Sequence, residues 1–215
     1  MSDRTNFPSH HVPNQWVAVV NDLNYFIRWA SRTETHQRYL PHRSIQAMVF
    51  TSDHQLVVQK RHSQKMTYAN HWDLSSSGHI ERVDYLPLDL ERLNQEWLVS
   101  QNIDPSIVFS SVSNQAQNDL YRRVALKEIY EELGVRCETI EFIDSFAPQR
   151  GIHYEHFHLF RVHSDGPFIP QESEVADIKT ISHRQWDSFI QSHPCTESLK
   201  MLGSLAIDKH WWPTP

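Results

Sequence analysis

The sequence predicts an α/β fold, and three observations carry that reading. Short runs of apolar or alternating residues, each of strand length, recur along the chain between clusters of Asn, Asp, Ser and Pro. One stretch, Lys127 to Val135, has helical rather than strand periodicity and stops at Gly134. A chain of 215 residues with 39% hydrophobic content suits one globular domain, residues 1–215, with a sizeable core.

Taken in order, Met1 to His11 is polar and lacks the apolar centre of a signal peptide. Trp16–Val20 and Tyr25–Ala30 read as strands around the turn-forming Asn21-Asp22-Leu23-Asn24. Polar Ser31 to Leu40 precedes a second strand pair, Ser44–Thr51 and Gln55–Lys60, joined by Ser52-Asp53-His54. Tyr68 to Ile80 reads as a loop, with small residues before Gly78 that would let backbone approach a ligand closely; an ordinary flexible loop is the plainer alternative. Leu86, Leu88, Leu90, Leu93 and Trp97 would line an amphipathic helix from about Asp89 to Gln101, a lid, a dimer contact or a passive excursion. Pro105 and the polar Ser110–Asn118 then read as loop.

The main helix is expected from about Asn118, with Asn118 or Asp119 as N-cap and Arg122 and Arg123 on its flank. Thr139–Asp144 and His153–Val162 read as strands, with Pro148-Gln149-Arg150-Gly151 between them. In the second of these, Glu155 and Phe157 share one side, and His156 and His158 the other. Glu172, Glu174 and Asp177, before a strand at Ile178–Ile181, suit a solvated loop. Helices follow at about Arg184–Gln191 and Glu197–Asp208, with Pro194 between them. The aromatic tail His210-Trp211-Trp212-Pro213 has no basic cluster around it, so it is expected to pack on the domain or on a partner chain rather than bind bases.

Within the main helix, Glu128, Glu131 and Glu132 fall at i, i+3 and i+4 and so share a face. Leu126, Ile129, Tyr130 and Leu133 fall opposite, so the helix is expected to bury that side and aim its acids outward. Crowded carboxylates repel, and a hard divalent cation relieves the repulsion. A merely solvated acidic face would satisfy the same spacing. The formal net charge of −6 and pI near 6.2 argue against a general nucleic-acid binder. They leave room for a nucleotide substrate whose phosphates a metal neutralises. No 18-residue apolar run is present, which predicts no membrane span. Two cysteines, Cys137 and Cys195, are too few for a disulfide framework, so a reducing, cytoplasmic location is expected.

Lys127-Glu128-Ile129-Tyr130-Glu131-Glu132-Leu133-Gly134-Val135 resembles the second half of the Nudix box, Gly-x5-Glu-x7-Arg-Glu-U-x-Glu-Glu-x-Gly-U, with U aliphatic. Lys127 stands in place of the arginine. Gly78 would open the box, and either Asp84 or Asp119 would supply its first acid, with about 35 residues inserted, near 85–118. Val57–Arg61, Trp72–Ile80 and His42-Arg43 are similar to the Nudix branch that holds isopentenyl diphosphate isomerase and related hydrolases. The resemblance covers Trp16 to about Ser182.

It implies a Nudix-type α/β/α sandwich with a mixed sheet. It also implies Mg²⁺ or Mn²⁺ held by Glu128, Glu131 and Glu132, with the Gly78 carbonyl, and catalysis by these acids and Glu155. A second metal on His42 and His79 is a further implication, with His36 and His153 near other ligand positions; each histidine alone reads more simply as structural. In the isomerases a cysteine two residues before the loop histidine moves a proton, and this chain has Ser77 there. The leading expectation is therefore a metal-dependent pyrophosphohydrolase acting on a nucleoside diphosphate derivative or a related diphosphate. An isomerase-like enzyme and a non-catalytic nucleotide-binding module are the alternatives. The expected partner is a small-molecule diphosphate, with no nucleic acid and no membrane. The tail and the early strands also suit a homodimer.

Overall fold

The computed structural model describes residues 15–85, 114–150 and 153–214. The expectations for Met1–His11, for a helix at Asp89–Gln101 with its Leu and Trp face, for the loop at Pro105 and for Gly151 lie outside the described residues.

β1 (Trp16–Val20) and β2 (Phe26–Ser31) form an antiparallel hairpin. Its turn is made by Asn21, whose side-chain oxygen accepts from the Leu23 and Tyr25 N–H groups, and by Asn24 at φ 64. The polar stretch that follows is not featureless: α1 (Arg32–Gln37) begins where the Ser31 hydroxyl accepts the Glu34 N–H at 3.1 Å. Buried Thr35 and an Arg28–Glu34–Arg38 charge cluster hold this short helix in place.

β3 (His42–Phe50) is buried along its whole length and lies parallel to β8 (Glu155–His163) from His42↔Glu155 to Phe50↔His163. Its other side pairs with β6 (Ser76–His79), and its end turns back into β4 (Leu56–Arg61). β4 pairs in turn with β5 (Trp72–Asp73) and β9 (Val175–Ile181), and β7 (Glu141–Phe146) pairs with β8, so one mixed sheet of nine strands results. The expected loop Tyr68–Ile80 therefore contains two short strands, β5 and β6. Its short side chains hid the alternation that marks strands in sequence.

Alternation along β3 and β8 divides the core. Ile45, Ala47 and Val49, with Phe160 and Val162, face α2 (Asn114–Leu133). Met48, Phe50, Leu56, Val58, Phe157 and Leu159 face α3 (Trp186–Ser192) and α4 (Glu197–Asp208). The sheet is thus covered on both faces, the expected α/β/α sandwich. α2 starts at Asn114, so Asn118 and Asp119 lie inside it rather than capping it, and the expected loop gives way to helix from that point. The aromatic tail packs on the domain: Trp212 is buried against Phe50 and Trp186, and its indole N–H donates to the His54 carbonyl at 2.9 Å. Among the described residues, no helix is long and apolar enough to cross a membrane.

Candidate active site

Tyr121, Ala125, Glu128 and Glu132 fall on one stripe of α2. Its first half is core; its second half turns acidic where the helix passes over β6. The acids therefore do not lie opposite the buried side, as their spacing had suggested. The Glu128 side chain is 17% exposed and Glu132 is 7% exposed, and only Glu131 faces solvent. Tyr130, expected in the core, is outside it with Arg136 4.5 Å above its ring.

Gly78 is where strand and helix meet. A Cβ there would lie 2.2 Å from the Glu128 carboxyl carbon, so only glycine lets that carboxylate settle on the strand. Next to it, the Ser77 N–H donates to Glu132 at 3.1 Å and the Gln59 amide donates to the same oxygen at 2.9 Å. Burial pushes the Glu128 carboxyl up to about 8, helped by Glu132, Glu131 and Asp84 and opposed by Lys127. Burial also raises Glu132, against the Ser76 hydroxyl, Lys65, the Ser77 N–H and Gln59, which favour its charged form. Two strained carboxyls side by side, with a third in reach, are the donor set that fits Mg²⁺ or Mn²⁺.

The structure also separates Asp84 from Asp119. The Asp84 carboxylate is 8% exposed and accepts from the Lys127 ammonium at 2.8 Å, while Asp119 is exposed. Burial opposes the charge on Lys127, but Glu128 and Asp84 more than offset it and raise its pKa. Lys127 thus joins Asp84 to Glu128, 3.3 Å away, and holds the acidic end of α2 against the turn after β6.

On the opposite face of β6, the side chain of His79 meets His36 from α1 and His42 from β3. One ligand-type atom from each lies within 4.8 Å of the others, and His36 Nε2 is 3.0 Å from His79 Nε2. His42 Nδ1 sits 2.8 Å from the Leu40 carbonyl, which can only accept, so Nδ1 carries the proton and Nε2 a lone pair. That Nε2 is buried without a hydrogen-bond partner. Burial lowers His36 to about 4 and holds His79 well below its usual value, so both are neutral near pH 7. Glu155 Oε1 stands 3.7 Å from both His42 Nε2 and His79 Nε2, while Oε2 accepts from the Ser44 hydroxyl at 2.8 Å. Three imidazoles and a carboxylate converging on one point fit a divalent metal. His153 lies near Glu155 but is not among the three clustered rings.

Two cations complete the surroundings. Arg32 lies within electrostatic reach of His36 and His79, and Lys65 within reach of His79, Glu132 and Glu128. Lys65 pairs with Glu174, which is engaged at the site's rim rather than free in a solvated loop. Arg32, Lys65, Gln59 and Ser44 escaped the sequence reading. Each is a common surface type, and only the fold brings it to the acids.

No protein-family model matches the chain. It is similar to an isopentenyl-diphosphate Delta-isomerase of Dictyostelium discoideum, at 26% identity over 80% of this chain and 70% of the relative. A crystal structure from Deinococcus radiodurans superposes with a TM-score of 0.64 at 16% identity, covering 87% of this chain and 96% of that one. The MutT protein of Methanosarcina mazei gives a TM-score of 0.50 at 11% identity, over 78% and 94% of the two chains. A protein assigned to the Nudix hydrolases gives 0.50 at 15% identity, over 91% and 90%. The fold is that of the Nudix hydrolases.

Proposed function

We propose that this Nudix-fold protein is a divalent-metal-dependent hydrolase that cleaves a diphosphate linkage in a nucleoside diphosphate derivative or a related compound. One observation carries the reading. β6 has two buried carboxyls of α2 on one side and the His36–His42–His79 group with Glu155 on the other, with Arg32 and Lys65 in reach. Cation sites and basic side chains gathered at one strand suit a polyanion more than any neutral ligand.

Glu128, Glu131 and Glu132, with the Gly78 carbonyl, would hold Mg²⁺ or Mn²⁺, and the histidines with Glu155 a second ion. Bound there, metal supplies charge neutralisation and a more acidic water. The protein does the rest. Ser77 and Gln59 both donate to one oxygen of Glu132, which orients the carboxylate and leaves its other oxygen to serve as a fixed ligand. Glu131, exposed, is the acid best placed to take a proton from water; Glu155 is the other candidate, with Oε1 turned to the histidines and Oε2 accepting from Ser44. Lys127 retains the positive charge of the box arginine and, through Asp84, keeps Glu128 in place.

Glu132→Gln is the test. It is expected to leave a folded protein and to lower kcat for a cleaved diphosphate by about 100-fold or more. Release of phosphate or nucleotide from ADP-ribose, dinucleotides and nucleoside triphosphates, with Mg²⁺ or Mn²⁺, reads the outcome. Undiminished turnover in the variant would remove the proposed site.

The histidine group and the Dictyostelium relative favour a second reading, an isomerase-like enzyme. Ser77 weighs against it, because an unactivated hydroxyl donates a proton far less readily than a thiol. Allylic product from isopentenyl diphosphate would reverse the ranking.

A further inference from the structure

The sheet face that carries Ser44, Ser77 and Glu155 carries one more polar side chain, which the reaction chemistry above does not use. Gln46 lies in β3 two residues after Ser44, directly opposite Ser77 on β6 and beside Leu159 on β8. Partners in register point to the same side of a sheet, so Gln46 shares the side of Ser77 and His79. It is 6% exposed, and its side-chain oxygen is buried with no hydrogen-bond partner. Met48, two residues further along β3, belongs on the same face to an apolar core with Phe157, beside Ser44, and Leu159, beside Gln46 itself. Gln46 thus stands where the site borders the core, and its amide oxygen is left unsatisfied there. Buried polar groups are almost always paired in native proteins, so an orphaned amide at a site wall calls for a ligand that pairs it.

We propose that Gln46 is a specificity-determining residue, whose buried amide hydrogen-bonds a hydroxyl or amino group of the organic moiety carried on the diphosphate. This rests on the reading of the site as a diphosphate site and deepens it. The substrate class it selects is a nucleoside- or sugar-bearing diphosphate, over one carrying a hydrocarbon chain. A hydrocarbon tail seated there would leave the amide unpaired, and sites built to hydrogen-bond a substrate group discriminate strongly against analogues that lack it. Either orientation of the amide serves, since a hydroxyl can donate or accept.

Binding separates this inference from the question of turnover. Titration calorimetry with Mg²⁺ would compare ADP-ribose and isopentenyl diphosphate on the natural protein, Gln46→Leu and Gln46→Met. The natural protein is expected to prefer ADP-ribose. Both variants should weaken ADP-ribose by roughly tenfold or more while changing isopentenyl diphosphate less than about twofold. Their melting temperatures should be unchanged or higher, because an unpaired buried amide is replaced by apolar atoms. Three results would overturn the proposal: no preference in the natural protein, a preference unchanged in the variants, or loss of both ligands together with a lower melting temperature. The last would mark Gln46 as a structural residue, with an internal water as its partner. Turnover by the natural protein is scored separately, so failure of the hydrolase reading and failure of this inference give different results.

Discussion

At the level of single residues, Gly78 fixes more of the site than any charged group. Its missing side chain is occupied by the Glu128 carboxyl, with carboxyl carbon, Cγ and an oxygen all within 2.5 Å of where a Cβ would stand. Those atoms belong to a side chain that can rotate away, so Gly78→Ala should push Glu128 off the strand without unfolding the sheet. The expected result is a melting temperature close to that of the natural protein with turnover lowered roughly tenfold or more, because the proposed ligand carboxylate would be displaced. Circular dichroism melts alongside a diphosphate cleavage assay check it; full activity would mean that Glu128 is not needed where the strand holds it. The sequence singled out Gly78 as the expected start of the box. What was not legible is why it is glycine, since that reason is a contact between residues 50 positions apart.

At the level of elements, helix α2 explains both what the sequence revealed and what it concealed. The acid triplet and the closing Gly134 marked a helix and its end; Gly134 sits at φ 71 with its N–H on the Tyr130 carbonyl. The orientation was misjudged because periodicity reports which residues share a face and not what covers that face. The stripe through Tyr121 and Ala125 is core, and the same stripe through Glu128 and Glu132 is site, because β6 ends the apolar contact partway along. Likewise β6 itself went unseen, since Ser, Ser and Gly carry no apolar alternation. The split box could not choose between two acids by counting; Asp84, and not exposed Asp119, is the one paired with Lys127. That pair gives a prediction at its own scale. Lys127→Met strands the Asp84 carboxylate, which is 8% exposed, and should cost roughly 2 kcal/mol, held below the usual loss for a broken buried pair because Lys127 is 35% exposed. Adding Asp84→Asn should recover most of that loss, since the neutral amide keeps the shape without the charge. Urea unfolding of Lys127→Met, Asp84→Asn and the double variant measures it, and an additive double variant would show that the two residues do not act as a pair.

At the level of the whole molecule, the sandwich places acids on one face of β6 and histidines on the other, and their titrations pull stability in opposite directions. Burial keeps His36 neutral down to about 4, against an ordinary value of 6.5, so the unfolded chain binds the extra proton in between and stability falls as pH drops through that range. Glu128 does the reverse. Its folded value is about 8 against an ordinary 4.5, so the native state holds a proton that the unfolded chain has released, and stability falls as pH rises toward 8. Above pH 6.5 His36 no longer contributes, and Glu128 sets the slope. Metal-free protein should therefore lose stability between pH 6.5 and 8, by about 2 kcal/mol at most from Glu128. Glu132 is raised as well and adds in the same direction. A divalent cation held by the ionised carboxylates, as proposed, would remove the loss and make Mg²⁺ more stabilising at pH 8 than at pH 6.5. Thermal unfolding across this window in EDTA and in Mg²⁺ reads both effects, and Glu128→Gln, which cannot titrate, should flatten the EDTA profile. A metal-free stability that rises from pH 6.5 to 8, or a Mg²⁺ effect that is the same at both ends, would mean that the α2 acids are ordinary solvated carboxylates and not the strained cation site that their burial against β6 describes.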